Sequence, residues 1–116
     1  MEPRERRLRI LGEDEIEALY GLPRFSDEER PEYFSLSPTE KRALDQLHSI
    51  KSRIYFILQR GYFKSHHLFF VFGLPEVEAD ARYIPEQYYP SFQITDVRIT
   101  KVTRLKQQGW ILALFN

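Results

Sequence analysis

The stretch that decides the fold begins Ser37-Pro38-Thr39-Glu40 and resumes, from residue 50, as Ile50-Lys51-Ser52-Arg53-Ile54-Tyr55-Phe56-Ile57-Leu58-Gln59-Arg60-Gly61. Its first part has the pattern of a helix start. Ser37 can accept a hydrogen bond from a backbone amide as the N-cap, and Pro38 has a φ suited to the first helical position. Glu40 stands three residues after the serine and completes a capping box. A helix is therefore predicted to begin near Pro38.

The second part of the stretch has the periodicity of a buried helix. Ile50, Ile54, Ile57 and Leu58 recur at i, i+4, i+7 and i+8, which places them on one face of a helix. Gly61 is suited to end that helix in a left-handed conformation. We therefore predict a core-facing helix that begins at about Ser49 and stops at about Arg60.

A second face of the same helix is basic. Arg53, Phe56 and Arg60 fall beside one another on a helical wheel, and Lys51 lies on the far flank of the apolar stripe. Two guanidinium groups with an aromatic ring between them suit contact with phosphate. The alternative is that these residues form the solvated flank of an ordinary bundle helix.

The remaining segments also favour helices. Residues 13–20 predict a short first helix, and the run Leu68 to Phe72 predicts an irregular apolar segment. An apolar stripe after Pro75 predicts a further helix with a kink or break at Pro85, because proline lacks the amide hydrogen. No run alternates with the two-residue period of a half-buried strand. We therefore predict an all-α small helical bundle, in which the helices from Pro38 and from about Ser49 form a helix-turn-helix-like pair or one bent helix.

A final helix is predicted from about Asp96 or Thr100. One of its sides carries Ile99, Val102, Trp110 and Ala113, and the other carries Lys101, Arg104 and Gln108. We expect the apolar side to face the core. The predicted core of the whole domain then includes Ile54, Ile57, Leu58, Trp110 and Leu114.

The length of the chain predicts a single domain, and its charged residues are grouped along the sequence. The formal net charge is zero, but residues 1–12 carry four Arg against two Glu, residues 13–35 carry eight acids against two Arg, and residues 36–67 carry six Lys or Arg against two acids. Basic helices between acidic connectors could bind an anion on one face. We divide the chain into a basic N-terminal arm, 1–12, and a helical domain, 13–116.

Several kinds of chemistry are not predicted. There is no cysteine, no Gly-rich phosphate loop and no nucleophile-base pattern, and the adjacent His66 and His67 have poor spacing for a metal site. No apolar run approaches the roughly 20 residues that span a bilayer. We therefore expect a cytoplasmic, non-catalytic protein with no cofactor, no bound metal and no membrane contact.

An ordered series of motifs carries a resemblance to a known family. The motifs are Ile10-Leu11 before an acidic segment that ends in Leu22-Pro23, then Tyr33-Phe34-Ser35-Leu36-Ser37, Phe56-Ile57-Leu58-Gln59, Gly61-Tyr62-Phe63-Lys64, Phe69-Phe70-Val71-Phe72 and Trp110-Ile111-Leu112-Ala113-Leu114-Phe115. Together they make the chain similar to the N-terminal domain of the large replicative transposases of class II bacterial transposons, the Tn-three family. Arg60 and the Ser65-His66-His67 stretch depart from the family pattern.

The resemblance implies a DNA-binding module that helps to recognise the terminal inverted repeats of a transposon. Strand cleavage in that family belongs to a separate RNase-H-like domain, so this chain would be a truncated, split or separately encoded module, or an inactive relic. Its partners would be double-stranded DNA at the transposon ends and either the remainder of a transposase or further copies of itself. A helical protein-interaction or assembly module is the alternative function. The candidate DNA-binding residues are Lys51, Arg53, Arg60, Lys64, Lys101, Arg104 and Lys106.

Overall fold

The computed structural model describes residues 21–47 and 49–115. The predicted basic arm, the predicted helix over residues 13–20 and the link at His48 lie outside the described residues. The described residues form five α-helices and contain no strand: α1, Arg30–Phe34; α2, Pro38–Leu44; α3, Ile50–His66; α4, Leu74–Tyr88; and α5, Lys101–Leu114. The all-α prediction is confirmed, and no helix in these ranges is long and apolar enough to cross a membrane.

The start of α2 is the one that its sequence predicts. The Ser37 hydroxyl accepts a hydrogen bond from the Glu40 backbone amide at 3.1 Å, and the Glu40 carboxylate accepts one from the Ser37 amide at 2.8 Å. Pro38 occupies the first helical position. These local bonds satisfy backbone donors that would otherwise lack a partner at the helix end.

Helix α3 is the centre of the fold. Every residue from 54 to 63 is buried, and α1, α4 and α5 all pack against this helix. The predicted core residues Ile54, Ile57 and Leu58 are fully buried, as expected. After α3 the apolar run at residues 68–72 is irregular, as predicted, and Phe72 stacks on Tyr55 with ring centroids 4.5 Å apart.

The predicted end of this helix at Gly61 is wrong. Helix α3 continues to His66, and the left-handed residue that follows it is His67, with φ 56°. Gly61 has another role, because a Cβ atom placed on it would lie 2.5 Å from Phe34 Cε1 and 3.0 Å from the Tyr33 carbonyl oxygen. The glycine therefore allows α1 to lie directly against α3.

A polar cluster ties α1 and α4 to α3. The Tyr62 hydroxyl donates to Asp80 Oδ2 at 2.5 Å, and Arg30 Nε donates to Asp80 Oδ1 at 2.7 Å. Burial raises the pKa of Tyr62 far above its usual value, so the hydroxyl keeps its proton and remains a donor. The hydrogen bond to Asp80 raises the pKa of Arg30. The buried carboxylate is thus satisfied by two partners, as buried charges require.

Helix α4 does not break at Pro85, contrary to the prediction. Pro85 lies inside the last turn of α4, where its carbonyl oxygen accepts a hydrogen bond from the Tyr89 amide at 2.7 Å. The departure from helical geometry occurs instead at Val77, with φ −126° and ψ 19°. Pro85 has no amide hydrogen to donate to the carbonyl oxygen four residues before it, so it removes one bond of the ladder without ending the helix.

Helix α5 begins where it was predicted to begin, but the side that faces the core is not the predicted one. Thr100 caps it, yet Gln107 and Ile111 are the buried residues, while Trp110 and Leu114 are about half exposed. The predicted core positions of Trp110 and Leu114 are therefore wrong. The side that is buried instead carries Ile111 and an amide pair with α3.

The amide pair joins α5 to the centre of α3. Gln59 Nε2 donates to Gln107 Oε1 at 2.9 Å, and Gln107 Nε2 donates to the Ser52 carbonyl oxygen at 3.0 Å. These bonds satisfy polar groups inside the fold, so the polar side of α5 can face inward. Phe63 lies near Phe115, with ring centroids 5.5 Å apart, which shows that α5 runs parallel to α3.

Candidate nucleic-acid interface

Most of the cations of α3 that were predicted to bind DNA bind other groups of the protein, and Arg60 is the clearest case. Its side chain pairs with Glu40 Oε2, at 2.7 Å from Nη2 and 3.0 Å from Nε, and Nη1 donates to the Ser35 carbonyl oxygen at 3.2 Å. Only 8% of Arg60 is exposed. The idea that Arg60 lies on a solvent-facing side of the helix is therefore wrong, because the arginine joins α3 to α2.

Arg53 closes the C-terminal end of α2. Its Nη2 and Nε donate to the Leu47 carbonyl oxygen at 2.9 and 3.2 Å, and its guanidinium lies 5.6 Å from the centre of the Tyr89 ring. The Leu47 carbonyl oxygen belongs to the link between α2 and α3, so Arg53 holds this link against α3. Arg53 is thus largely engaged in joining segments of the fold.

The two lysines of α3 stand near opposite ends of the helix. Lys51 Nζ binds Asp96 Oδ1 at 3.0 Å, and this hydrogen bond lowers the pKa of Asp96. Lys64 is exposed, although its Nζ donates to the Glu32 carbonyl oxygen at 3.0 Å. Thirteen residues of helix separate the two lysines, a rise of roughly 20 Å. The candidate cations of α3 therefore do not converge on one patch.

The burial of α3 also bears on the predicted helix-turn-helix-like pair. In that motif the second helix presents an exposed row of side chains to the major groove. Residues 54–63 of α3 offer none, because all of them are buried. Helix α3 thus holds the fold together rather than presenting a groove-reading surface.

The cations at the start of α5 are more accessible. Lys101 and Lys106 are exposed, and neither has an ion-pair partner among the residues that the structure describes. Arg104 is partly buried, and its Nε is enclosed without a hydrogen-bond partner there. Arg104 packs near Tyr55, whose pKa is raised by burial and lowered in part by the arginine. Arg104 therefore belongs to the contact between α5 and α3.

A further exposed cation, Arg98, joins Lys101 and Lys106. We call these three residues the basic cluster. Arg98 and Lys101 flank the N-terminus of α5, where the helix dipole is positive and backbone amides point outward, and Lys106 lies in the second turn. The nearby acid, Asp96, is already bound by Lys51. Arg98 was missed as a site residue because it precedes the helix, although it stands only three residues before Lys101 in the sequence.

A second exposed surface of α5 is apolar. Val102, Leu105 and Leu112 are exposed by 65, 49 and 44% on the side of the helix away from the core. Beside them an apolar groove of about 400 Å³ lies between α2 and the C-terminal half of α5, lined by Glu40, Ala43, Leu44, Gln46, Leu47, Phe56, Trp110, Ala113 and Leu114. This surface was not predicted, because Val102, Trp110, Ala113 and Leu114 were expected to face the core.

The predicted absence of a metal site remains an expectation. Among residues 21–47 and 49–115, no three His, Asp or Glu side chains come together in a group that could hold a metal ion. His66 Nδ1 lies 2.8 Å from the Ser65 hydroxyl, and the His67 ring packs edge-on against Phe63. Both histidines thus have contacts within the end of α3.

Comparison with known families matches residues 10–116 to a domain of unknown function, DUF4158. The chain belongs to the DUF4158 family. The match covers α1 to α5 and residues 10–29 before them, so the basic cluster and the apolar surface are both within the family domain. No curated protein and no solved structure matched the chain.

Proposed function

We propose that this DUF4158 chain is the DNA-binding, non-catalytic N-terminal module of a Tn-three family transposase. Two lines support the proposal. The ordered sequence motifs resemble that domain along nearly the whole chain, and the family match covers the same span. The observation that carries DNA binding itself is the basic cluster, in which Arg98 precedes α5 and Lys101 and Lys106 lie in its first two turns.

The chemistry of the basic cluster suits the DNA backbone. Three exposed cations stand within nine residues, and the helix terminus adds a partial positive charge. Each cation that neutralises a phosphate releases a counterion from DNA, so affinity should depend steeply on salt. The neighbouring acid adds little repulsion, because Lys51 neutralises Asp96. In this proposal the chain binds the transposon end and a separate catalytic domain cleaves it.

The experiment is a series of binding titrations at several salt concentrations. The ligands are a duplex with the terminal inverted repeat of the encoding transposon and a scrambled duplex. Changing Arg98, Lys101 and Lys106 together to Ala should flatten the salt dependence of log affinity by about three units, roughly 0.9 for each phosphate that is no longer neutralised. Arg82→Ala is the control, because Arg82 is an exposed cation on α4 that pairs with Glu78 at 2.7 Å.

The outcomes separate three cases. Equal weakening on both duplexes means that the cluster binds phosphates, whereas a loss of roughly 1–3 kcal/mol confined to the cognate duplex means that one of its residues reads a base. If the triple variant keeps its helicity and binds both duplexes like the wild type, the basic cluster is not the interface. A protein-interaction module then becomes the leading function, and the exposed apolar surface of α5 already favours it as the second candidate.

A further inference from the structure

The solvent-facing side of α5 has the spacing of a helix-pairing surface. Val102, Leu105, Gly109 and Leu112 are separated by three, four and three residues, and all four are exposed. This is the a and d spacing of a heptad repeat, which places them in one row. We call this row the α5 seam. The side that packs on α3, which carries Gln107 and Ile111, lies opposite, so the seam is available to a partner.

Gly109 makes the middle of the seam flat. A Cβ atom at this position would meet nothing within 4 Å, so packing inside the domain does not require a glycine there. Glycine inside a helix costs about 1 kcal/mol relative to alanine. A second helix crossing at Gly109 could approach closely, since small residues at a crossing point let two backbones come together.

The charges of α5 select the orientation of a partner helix. Lys101, Arg104 and Lys106 all lie in the N-terminal half, while residues 109–115 carry no charge. A parallel pair of such helices would place like charges side by side. An antiparallel pair instead brings the cations of each helix toward the negative end of the other helix dipole. The seam is therefore complementary to itself when reversed.

From these observations we propose that the α5 seam is a homodimer interface, in which two copies of the chain pair their α5 helices antiparallel across a two-fold axis near Gly109. Leu105 of one copy then packs toward Leu112 of the other, as an isologous interface requires. Eleven residues of seam are too few for a stable coiled coil on their own. The dimer should accordingly be weak, in the micromolar range typical of interfaces at the low end of the size scale.

The first test is the molar mass of the whole chain in solution, measured by sedimentation over micromolar to millimolar concentrations. The mass should rise toward twice that of the monomer, and Leu105→Asp should return it to the monomer value. Val71→Asp is the matched control, because Val71 is an exposed apolar residue in the segment between α3 and α4. Far-ultraviolet circular dichroism should show unchanged helicity in both variants. A wild-type chain that stays monomeric at the highest concentration would overturn the proposal.

The second test fixes the orientation by cross-linking. The chain has no cysteine, so single cysteines can be introduced cleanly. Gly109→Cys should form a disulfide-linked dimer under mild oxidation, because the two-fold axis brings the two positions together. Val102→Cys should not, since the two copies of residue 102 would be roughly 20 Å apart in an antiparallel pair, beyond the roughly 7 Å that a disulfide allows. Val71→Cys is the control, because it measures how much disulfide forms by chance collision between two chains.

Each result bears on one part of the proposal. Efficient cross-linking at residue 102 would show a parallel pair and contradict the charge argument. A dimer that resists Leu105→Asp would place the interface elsewhere. Neither test uses DNA, so the inference does not rest on the proposed function. A monomeric chain that binds transposon ends would refute the dimer alone.

Discussion

Replacing Arg60 by alanine separates a structural role of this residue from a DNA-binding one. The substitution removes a guanidinium that makes two contacts with Glu40 Oε2 and donates to the Ser35 carbonyl oxygen. The side chain of Glu40 is only 17% exposed, so its charge would remain nearly buried. Removing one partner of a buried ion pair costs about 3–5 kcal/mol.

The expected loss of stability is somewhat smaller, because Glu40 keeps its hydrogen bond from the Ser37 amide. We expect the free energy of unfolding to fall by about 2–3 kcal/mol, since a charge-assisted hydrogen bond contributes about 1.5–3 kcal/mol. In a domain of this size the melting temperature should drop by roughly 8–15 °C. Urea and thermal denaturation followed by circular dichroism measure both quantities.

Two comparisons make the result specific to the ion pair. Arg42→Ala removes an exposed cation of α2 whose contact in the structure is with Thr39, and its effect should stay within about 0.5 kcal/mol. A double-mutant cycle of Arg60→Met with Glu40→Gln should give a coupling energy of about 1–3 kcal/mol. If Arg60→Ala leaves stability unchanged and weakens DNA binding, the arginine faces solvent and the internal ion pair is wrong.

Two further substitutions test the packing of α1 and α5 on α3. Gly61→Ala should destabilise the domain by about 1–2 kcal/mol net, because overpacking against Phe34 outweighs the gain in helix propensity. Gly109→Ala, measured at low concentration, should instead stabilise the domain by about 0.5–1 kcal/mol, because a Cβ atom there meets nothing. If both substitutions change the free energy of unfolding in the same direction, the close approach of α1 to Gly61 is contradicted. Ile57→Ala should lower the free energy of unfolding by about 2–5 kcal/mol, whereas Trp110→Ala should lower it clearly less, since Trp110 is 49% exposed. Urea denaturation measures both losses, and equal losses would mean that Trp110 lies in the core, as the sequence predicted.

The candidate site was only partly predictable from sequence. Lys101 and Lys106 were among the predicted site residues, and both are exposed. Arg60 has the same charge but is buried, because Glu40, 20 residues away in the chain, reaches it. A helical wheel shows which residues are neighbours on a helix, but it cannot show whether another segment covers them.

The sequence by itself determined the elements that depend on near neighbours. The capping box of Ser37 and Glu40 started α2, and the period of the isoleucines made α3 a core helix, because both effects act within a few residues of chain. Only the tertiary structure decided where α3 ends, because Gly61 is needed for contact with Phe34 and not for a turn.

Tertiary contacts also decided which side of α5 faces the core. Periodicity separated an apolar side from a polar side, and burial of the apolar side was the natural expectation. The hydrogen bond between Gln59 and Gln107, 48 residues apart, satisfies polar groups of α5 inside the fold, so this side can face α3 instead. An exposed apolar row therefore arises on α5, because the contacts with α3 that bury Gln107 and Ile111 set the rotation of this helix.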